Sequence, residues 1–257
     1  MKIKHNKKVD LKMPSFTVDD NPLGKHLDKH PCLSLLNCYA NIVIIGKPGS
    51  GKTSLAVSFL QSPKVFRKTF NHIICVMPFQ SRKSMKKDIF EVLPQEQLFD
   101  ELNEETITTI YNLIQSYAEE GEKTLLFIDD QTASLKKSKY VEDTLKKIMF
   151  NRRHLRTTCM TTAQVYNNIP LSIRKTISHL FMFKPQKKEF ESVFEELLEQ
   201  PKETAQKIMN VVYDKKHNFL YLHVETQKMF KNWDEILWRD DEYLSDSSSS
   251  SSSDSDY

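Results

Sequence analysis

Five short runs of apolar or β-branched residues recur along the chain, and each ends at a glycine, a proline or a polar side chain. Continuous runs of this length, without strict alternation, are typical of strands that are buried on both faces of a parallel sheet. The five runs therefore predict buried parallel strands at 41–45, 72–77, 124–128, 157–163 and 179–183.

Helix-compatible segments separate these predicted strands. In one of them Ile107, Ile110 and Ile114 recur at helical spacing, and Gly121 predicts where that helix ends. The predicted helices cover 52–61, 83–93, 104–120, 140–150, 187–199 and 202–212, and a terminal strand pair is predicted at 218–224 and 228–230. Strands that alternate with helices predict an α/β fold with a mainly parallel central sheet flanked by helices.

Composition divides the 257 residues into three parts. Residues 1–32 are basic and weakly patterned, which predicts a loosely ordered arm, and 33–244 form the predicted folded domain. Residues 245–257 are almost entirely Ser and Asp, which predicts a disordered tail that is either a phosphorylation target or a plain solubilising segment. No run of eighteen apolar residues occurs, so no transmembrane helix is expected.

A glycine-rich loop follows the first predicted strand. Three of the five glycines of the chain fall within it, where they let successive backbone N–H groups turn toward phosphate oxygens. A chance match to this pattern has a frequency of about 1% in a chain of this length. The predicted binding residues for the β and γ phosphates of a nucleoside triphosphate are Gly46, Lys47, Pro48, Gly49, Ser50, Gly51, Lys52 and Thr53. Lys52 supplies a positive charge to the phosphates, and the hydroxyl of Thr53 is a predicted Mg²⁺ ligand.

Paired carboxylates end another predicted strand. Asp129 directly follows the run 124–128, at the place where P-loop enzymes hold Mg²⁺ with a carboxylate. Its neighbour Asp130 is the candidate that orients or deprotonates the attacking water, although aspartate is one methylene shorter than glutamate. The alternative for Asp129 is an exposed carboxylate at a strand end.

Two residues farther along carry weaker signals. Gln164 ends the strand 157–163, where its amide would reach a γ-phosphate and position water, but a strand-end Gln is commonly a loop residue. Arg174 is a candidate for the arginine that stabilises transition-state charge, against the alternative of a surface residue. Arg152, Arg153 and Arg156 are rival candidates for that role.

The order and spacing of these motifs resemble those of one protein family. The motifs are the loop 46–53, the acidic pair, Arg153-His154, Gln164-Val165-Tyr166 and the segment 169–174. The family is the poxvirus-type genome-packaging ATPases of large cytoplasmic DNA viruses, within the FtsK–HerA superfamily of P-loop motors. The resemblance covers about residues 33–230 and leaves the Ser/Asp tail outside it. It implies a RecA/FtsK–HerA-like P-loop fold, ATP and Mg²⁺ as cofactors, a sensor role for Gln164 and an arginine-finger role for Arg174 toward a neighbouring subunit.

The same resemblance implies that ATP hydrolysis drives double-stranded DNA, without sequence preference, into a capsid. The implied partners are further subunits in a homo-oligomeric ring and a viral capsid or membrane-associated packaging site, and the implied location is the virion and the viral factory in the host cytoplasm. Eight Lys and Arg residues within 136–156 offer a basic element for a phosphate backbone, although such a run is often a solvated face. A helicase loader, a small-molecule kinase and a nucleotide-switched assembly scaffold remain alternatives, and no residue pattern selects ATP over GTP.

Overall fold

A nine-stranded sheet forms the centre of the part of the chain that the structure describes. The computed structural model describes residues 33–85, 88–200 and 202–237. The strands are β1 (Asn41–Ile45), β2 (His72–Val76), β3 (Leu98–Phe99), β4 (Thr124–Asp129), β5 (Thr157–Ala163), β6 (His179–Phe183), β7 (Phe219–His223), β8 (Lys228–Lys231) and β9 (Asp234–Glu235). Their order is β3-β2-β4-β5-β1-β6-β7-β8-β9, with parallel pairing from β3 to β6 and antiparallel pairing from β6 to β9.

Helices cover both faces of this sheet. They are α1 (Lys52–Gln61), α2 (Phe79–Lys83), α3 (Glu104–Glu119), α4 (Thr132–Lys137), α5 (Lys139–Phe150), α6 (Leu171–Arg174), α7 (Lys187–Val193) and α8 (Lys202–Val212). One hydrophobic core lies beneath α3, α5, α7 and α8, and a second lies between the other face and α1. Because both faces are covered, every residue of β1, β4, β5 and β6 is buried.

Local sequence signals set several helix boundaries. The side chain of Asn103 accepts a hydrogen bond from the Thr106 N–H at 2.9 Å, which caps the start of α3. Ser138 caps α5 in the same way through the N–H of Val141. Gly121 follows α3 with a φ of 78°, a left-handed conformation that glycine adopts without steric cost.

Most predicted elements are present, and the mainly parallel α/β fold is confirmed. The predicted helix over 83–93 is wrong, since α2 ends at Lys83 and turns follow it. The Asp88 side chain accepts the N–H of Phe90 at 2.9 Å, a local bond that competes with helix formation. Phe90 is thereby buried in a stack against Phe127 with ring centroids 5.4 Å apart.

The C-terminal part of the predicted helix 187–199 also differs from expectation. After α7 the chain forms a π-helical segment, Phe194–Leu198, which ends at Glu199 with a φ of 53°. The predicted arm 1–32 and the predicted tail 245–257 lie outside the described residues, so the domain boundaries stay predictions. Among the described residues, no helix combines the length and the apolar character that a membrane span requires.

Candidate functional site

The glycine-rich loop connects the carboxyl end of β1 to the start of α1. The N–H of Gly46 donates to the carbonyl of Ala163 on β5 at 3.1 Å, and the N–H of Ser50 donates to Lys47 within the loop at 3.1 Å. Gly49 and Gly51 have φ values of 73° and 110°, in the region that L side chains adopt only with strain. The loop therefore curls back over the end of β1 because glycine occupies both positions.

Gly46 is required for a different reason, the close approach of β6. A Cβ added at Gly46 would lie 2.4 Å from Ser50 Oγ and 2.9 Å from Phe183 Cβ. The ring of Phe183 also lies 3.5 Å from the place where a Cβ on Gly51 would be. The side of the loop next to β6 therefore packs directly on Phe183.

Lys52, the first residue of α1, is buried and points back across the loop. Its Nζ donates to the carbonyl of Lys47 at 3.4 Å. Burial lowers the pKa of Lys52, whereas the nearby carboxylates of Asp130 and Asp129 act to raise it. The site thus places one positive charge next to two carboxyl groups.

Asp129 ends β4 and faces Thr53. Its Oδ1 accepts a hydrogen bond from Thr162 Oγ1 at 2.7 Å and one from Thr53 Oγ1 at 3.4 Å. Burial raises the pKa of Asp129, while the hydrogen bond from Thr162 and the charge of Lys52 oppose that rise. A hydroxyl and a carboxylate oxygen within this distance are the type of ligands that Mg²⁺ prefers.

Asp130 adopts a left-handed backbone conformation, with a φ of 52°. Its N–H donates to the carbonyl and to the hydroxyl of Thr162, at 3.2 and 3.1 Å, so the turn after β4 is tied to β5. Gln164 Nε2 donates to Asp130 Oδ2. The strand order explains this contact, because β5 lies between β1 and β4 and carries Gln164 at its carboxyl end. The structure therefore brings four of the predicted residues, Lys52, Asp129, Asp130 and Gln164, to one place.

A cleft of about 830 Å³ opens over this cluster. One side is formed by α1 and the other by the segment that follows β2. The residues that line it are Pro48, Gly49, Lys52, Thr53, Ser54, Val57, Ser58, Gln61, Met77, Ser81, Ser84, Met85, Asp129, Asp130 and Gln164. The cleft thus combines a phosphate-sized loop, a buried cation and three polar strand-end side chains in a volume that admits a nucleotide.

Arg174 does not line this cleft in its own chain. Its Nη1 donates to Glu196 Oε1 at 2.7 Å and to Asn167 Oδ1 at 3.2 Å, and its guanidinium lies 4.9 Å from the centre of the Tyr166 ring. Only 13% of its side chain is exposed. Arg174 therefore lies away from the cleft, at the end of α6. There it forms an ion pair with Glu196 that the sequence did not predict.

The rival arginines directly precede β5, so they lie near the amino ends of the parallel strands. The glycine-rich loop lies at the carboxyl ends of these strands. Arg152 Nη1 donates to the carbonyl of Met149 at 3.0 Å, and the guanidinium of Arg156 lies 6.0 Å from the Tyr39 ring. The arrangement separates these arginines from the cluster around Lys52 within one chain.

The basic stretch 136–156 forms α4, α5 and the turn after them, and much of its charge is paired. Lys139 Nζ lies 3.2 Å from Glu142 and 3.3 Å from Asp143, and Lys146 Nζ lies 3.4 Å from Asp143. Lys147 Nζ lies 4.4 Å from the centre of the Tyr111 ring. These contacts reduce the positive charge that the stretch offers to a partner.

Three residues around the site escaped the sequence prediction. Thr162 holds Asp129 and the turn at Asp130, and its only signal is a run of threonines in a buried strand. Glu189 is buried, and its carboxylate accepts a hydrogen bond from the N–H of Tyr166 at 2.5 Å. Tyr166 lies two residues after Gln164, and burial raises the pKa of Glu189. His217 contacts the carbonyl of Ser50 at 3.0 Å. Neither Glu189 nor His217 has a local pattern that marks it, because both reach the site only through the tertiary fold.

Solved structures of several ATPases share this architecture. B204, the DNA-packaging ATPase from Sulfolobus turreted icosahedral virus, has 20% identity and a TM-score of 0.61, over 77% of this chain and 99% of that chain. The genome-packaging NTPase B204 from Sulfolobus turreted icosahedral virus 2, in complex with ATP-gammaS, has 16% identity and a TM-score of 0.59, over 77% of this chain and 98% of that chain. EssC (ATPases 2 and 3) from Geobacillus thermodenitrificans has 14% identity and a TM-score of 0.51, over 77% of this chain and 40% of that chain. At these identities the likeness shows a common fold.

The sequence itself gives the family. No curated protein matches it. The family model described as Poxvirus A32 protein matches residues 28–242, a range that includes every residue the structure describes. The protein therefore belongs to the poxvirus A32 family, which confirms the resemblance to poxvirus-type packaging ATPases.

Proposed function

We propose that the protein hydrolyses ATP in order to move double-stranded DNA into a viral capsid. The observation that carries the proposal is the cleft in which the loop 46–53, Asp129, Asp130 and Gln164 meet at the carboxyl ends of β1, β4 and β5. Membership of the poxvirus A32 family supports a viral packaging role. So do the similar folds of B204, a DNA-packaging ATPase, and of the related B204 in complex with ATP-gammaS.

In this proposal the loop holds the triphosphate. The backbone N–H groups of Lys47, Gly49 and Gly51 and the N-terminus of α1 receive the phosphates, with Lys52 opposite the β and γ oxygens. Thr53 and Asp129 would hold Mg²⁺, and their facing hydroxyl and carboxylate oxygens fit that ion. When bound, Mg²⁺ would neutralise charge that develops on the phosphates.

Asp130 and Gln164 are assigned to the attacking water. The hydrogen bond from Gln164 engages Oδ2 of Asp130, so we assign Oδ1 as the oxygen that accepts the proton of the water. The left-handed backbone of Asp130, tied to Thr162, fixes the direction from which its carboxylate approaches the cleft. Gln164 then positions both the carboxylate and the water from the strand that separates β1 and β4.

Arg174 is assigned as the arginine finger of a neighbouring subunit in a homo-oligomeric ring. Its position outside the cleft of its own chain supports an action in trans. To reach a neighbouring nucleotide, its guanidinium has to leave Glu196, so the ion pair competes with the finger role. Arg174→Ala is expected to lower turnover by about 10³-fold or more if the finger contributes as in other P-loop enzymes.

We assign DNA contact to the surface around α4 and α5, without base readout. Double-stranded DNA of any sequence is the partner, and the viral capsid or a membrane-associated packaging site is the destination. The proposed locations are the virion and the viral factory of the host cytoplasm, in keeping with the poxvirus family. Because phosphate contacts release counterions, stimulation by DNA should fall steeply with salt.

The test is ATP turnover measured with and without double-stranded DNA at low and high salt. Stimulation by unrelated DNA sequences, lost at high salt and absent in Asp130→Asn, is the expected result. Turnover that DNA leaves unchanged at low salt would refute a DNA motor and favour another P-loop enzyme, such as a helicase loader or a kinase. Packaging that survives in Asp130→Asn would instead indicate a nucleotide-switched scaffold.

A mixing experiment tests the shared site. Subunits with Lys52→Ala cannot hold ATP but still donate Arg174 to a neighbour. Subunits with Arg174→Ala hold ATP but have no arginine to donate. Partial recovery of turnover in the mixture is expected if one subunit completes the site of the next. Turnover that stays at the level of the separate variants contradicts the ring assignment, provided that both variants assemble to the mass of the unmodified protein.

A further inference from the structure

One contact joins the glycine-rich loop to a distant part of the chain. His217 Nδ1 lies 3.0 Å from the carbonyl oxygen of Ser50, although 167 positions separate the two residues. A carbonyl oxygen only accepts hydrogen bonds, so Nδ1 carries the proton and donates it. His217 is exposed and does not line the cleft, which means that it acts on the loop from outside.

The backbone around His217 is held in place by its neighbours. The Asp214 carboxylate accepts from Asn218 Nδ2 at 2.7 Å and pairs with Lys231 Nζ at 2.8 Å. The Asn218 side chain in turn accepts from Asn232 Nδ2 at 3.1 Å. This network anchors the segment between α8 and β7 to the end of β8. Within this segment His217 has a left-handed conformation, with a φ of 68°.

The direction of the Ser50 carbonyl decides the direction of the next N–H group. A trans peptide is planar, so the C=O of Ser50 and the N–H of Gly51 point to opposite sides. His217 draws the carbonyl outward, and the N–H of Gly51 is thereby turned toward the inside of the loop, where phosphate is proposed to lie. Gly51 has a φ of 110° and no side chain to restrict it, so this peptide is the part of the loop that most needs an external constraint.

We propose that His217 is a positioning residue that fixes the Ser50–Gly51 peptide for phosphate binding. The inference rests on the proposed nucleotide site and adds to it a constraint from the C-terminal hairpin. A single neutral hydrogen bond of this kind corresponds to about a three- to tenfold change in affinity. Its loss is therefore expected to weaken nucleotide binding without abolishing it.

Two substitutions separate the hydrogen bond from the backbone conformation. His217→Gly accepts a positive φ but has no donor, whereas His217→Asn tolerates the left-handed region and carries an amide nitrogen at the same δ position as Nδ1. Lys68→Gly is the matched control, because Lys68 also has a left-handed backbone, with a φ of 60°, on an exposed loop. None of the three substitutions touches a residue assigned to the phosphates, Mg²⁺ or water.

The measurement is the Kd of a fluorescent, non-hydrolysable ATP analogue with Mg²⁺, together with kcat and KM for ATP. His217→Gly should raise Kd and KM about three- to tenfold with a smaller change in kcat, His217→Asn should restore both, and Lys68→Gly should leave them unchanged. A Kd in His217→Gly equal to that of the unmodified protein would overturn the inference and leave the nucleotide site intact. An unmodified protein that binds no analogue would refute the proposed function itself.

Discussion

Gly46→Ala tests how closely the glycine-rich loop packs on β6. The added methyl group would lie 2.4 Å from Ser50 Oγ and 2.9 Å from Phe183 Cβ, both shorter than real Cβ contacts allow. The Ser50 hydroxyl can rotate away, but Phe183 Cβ belongs to a buried strand and moves only with the sheet. The loop itself therefore has to shift.

The expected cost follows from this geometry. Overpacking of a well-packed site costs about 1–3 kcal/mol. For a domain of this size each kcal/mol lowers Tm by about 2–4 °C. Gly46→Ala should thus lower Tm by several degrees and should also weaken binding of a non-hydrolysable ATP analogue, because the shift displaces the N–H groups of the loop.

Gly121→Ala is the matched control for this substitution. Gly121 has a φ of 78°, and a Cβ added there meets no atom of the described residues within 4 Å. The substitution costs about 1–2 kcal/mol because alanine is strained in the left-handed region. Gly121 lies far from the cleft. Thermal unfolding and analogue binding should show a stability loss in both variants but an affinity loss in Gly46→Ala alone. Unchanged Tm and affinity in Gly46→Ala would refute the packing argument.

Three further predictions concern buried groups, namely His179, Glu189 and the thiols of Cys75 and Cys159. Burial lowers the pKa of His179 to about 3, so only the unfolded state takes up a proton as pH falls from 6.5 toward 3. Denaturant titrations should show that the free energy of unfolding falls by about 1.4 kcal/mol per pH unit in that window, with a shallower slope in His179→Gln. Glu189→Ala should cost about 1–3 kcal/mol because it leaves the Tyr166 N–H unpaired, whereas Glu189→Gln keeps an acceptor, and equal thermal unfolding of the two would contradict this role. Burial raises the pKa of Cys75, and it raises that of Cys159 to about 12, so neither thiol should be alkylated at pH 8 before unfolding, as mass spectrometry would show.

The central strands could be predicted from the sequence because a strand that is buried on both faces is rich in apolar or β-branched residues along its whole length. The runs at β1, β4 and β6 carry that signal without interruption. The loop at Gly46 and the acidic pair could be located for the same reason, since each directly follows such a run. The placement of Gln164 beside Asp130 needed one more fact, the insertion of β5 between β1 and β4, which no local pattern encodes.

The failures also have local physical causes. The segment 83–93 has helix-compatible residues, but the side-chain bond from Asp88 to the Phe90 N–H and the burial of Phe90 override that preference. The strand β3 has two residues, too few for a periodic signal. The ion pair of Arg174 with Glu196 joins residues 22 positions apart on different helical segments, so only the fold reveals it.

The glycine-rich loop is held from three sides, by the Ala163 carbonyl, by Phe183 and by His217. Ordering one backbone residue costs about 1–2 kcal/mol of conformational entropy. A loop that is already ordered before the ligand arrives loses little of this entropy on binding. Calorimetry should therefore find a smaller unfavourable entropy for the unmodified protein than for His217→Gly, so that most of the enthalpy of the phosphate contacts is retained as affinity.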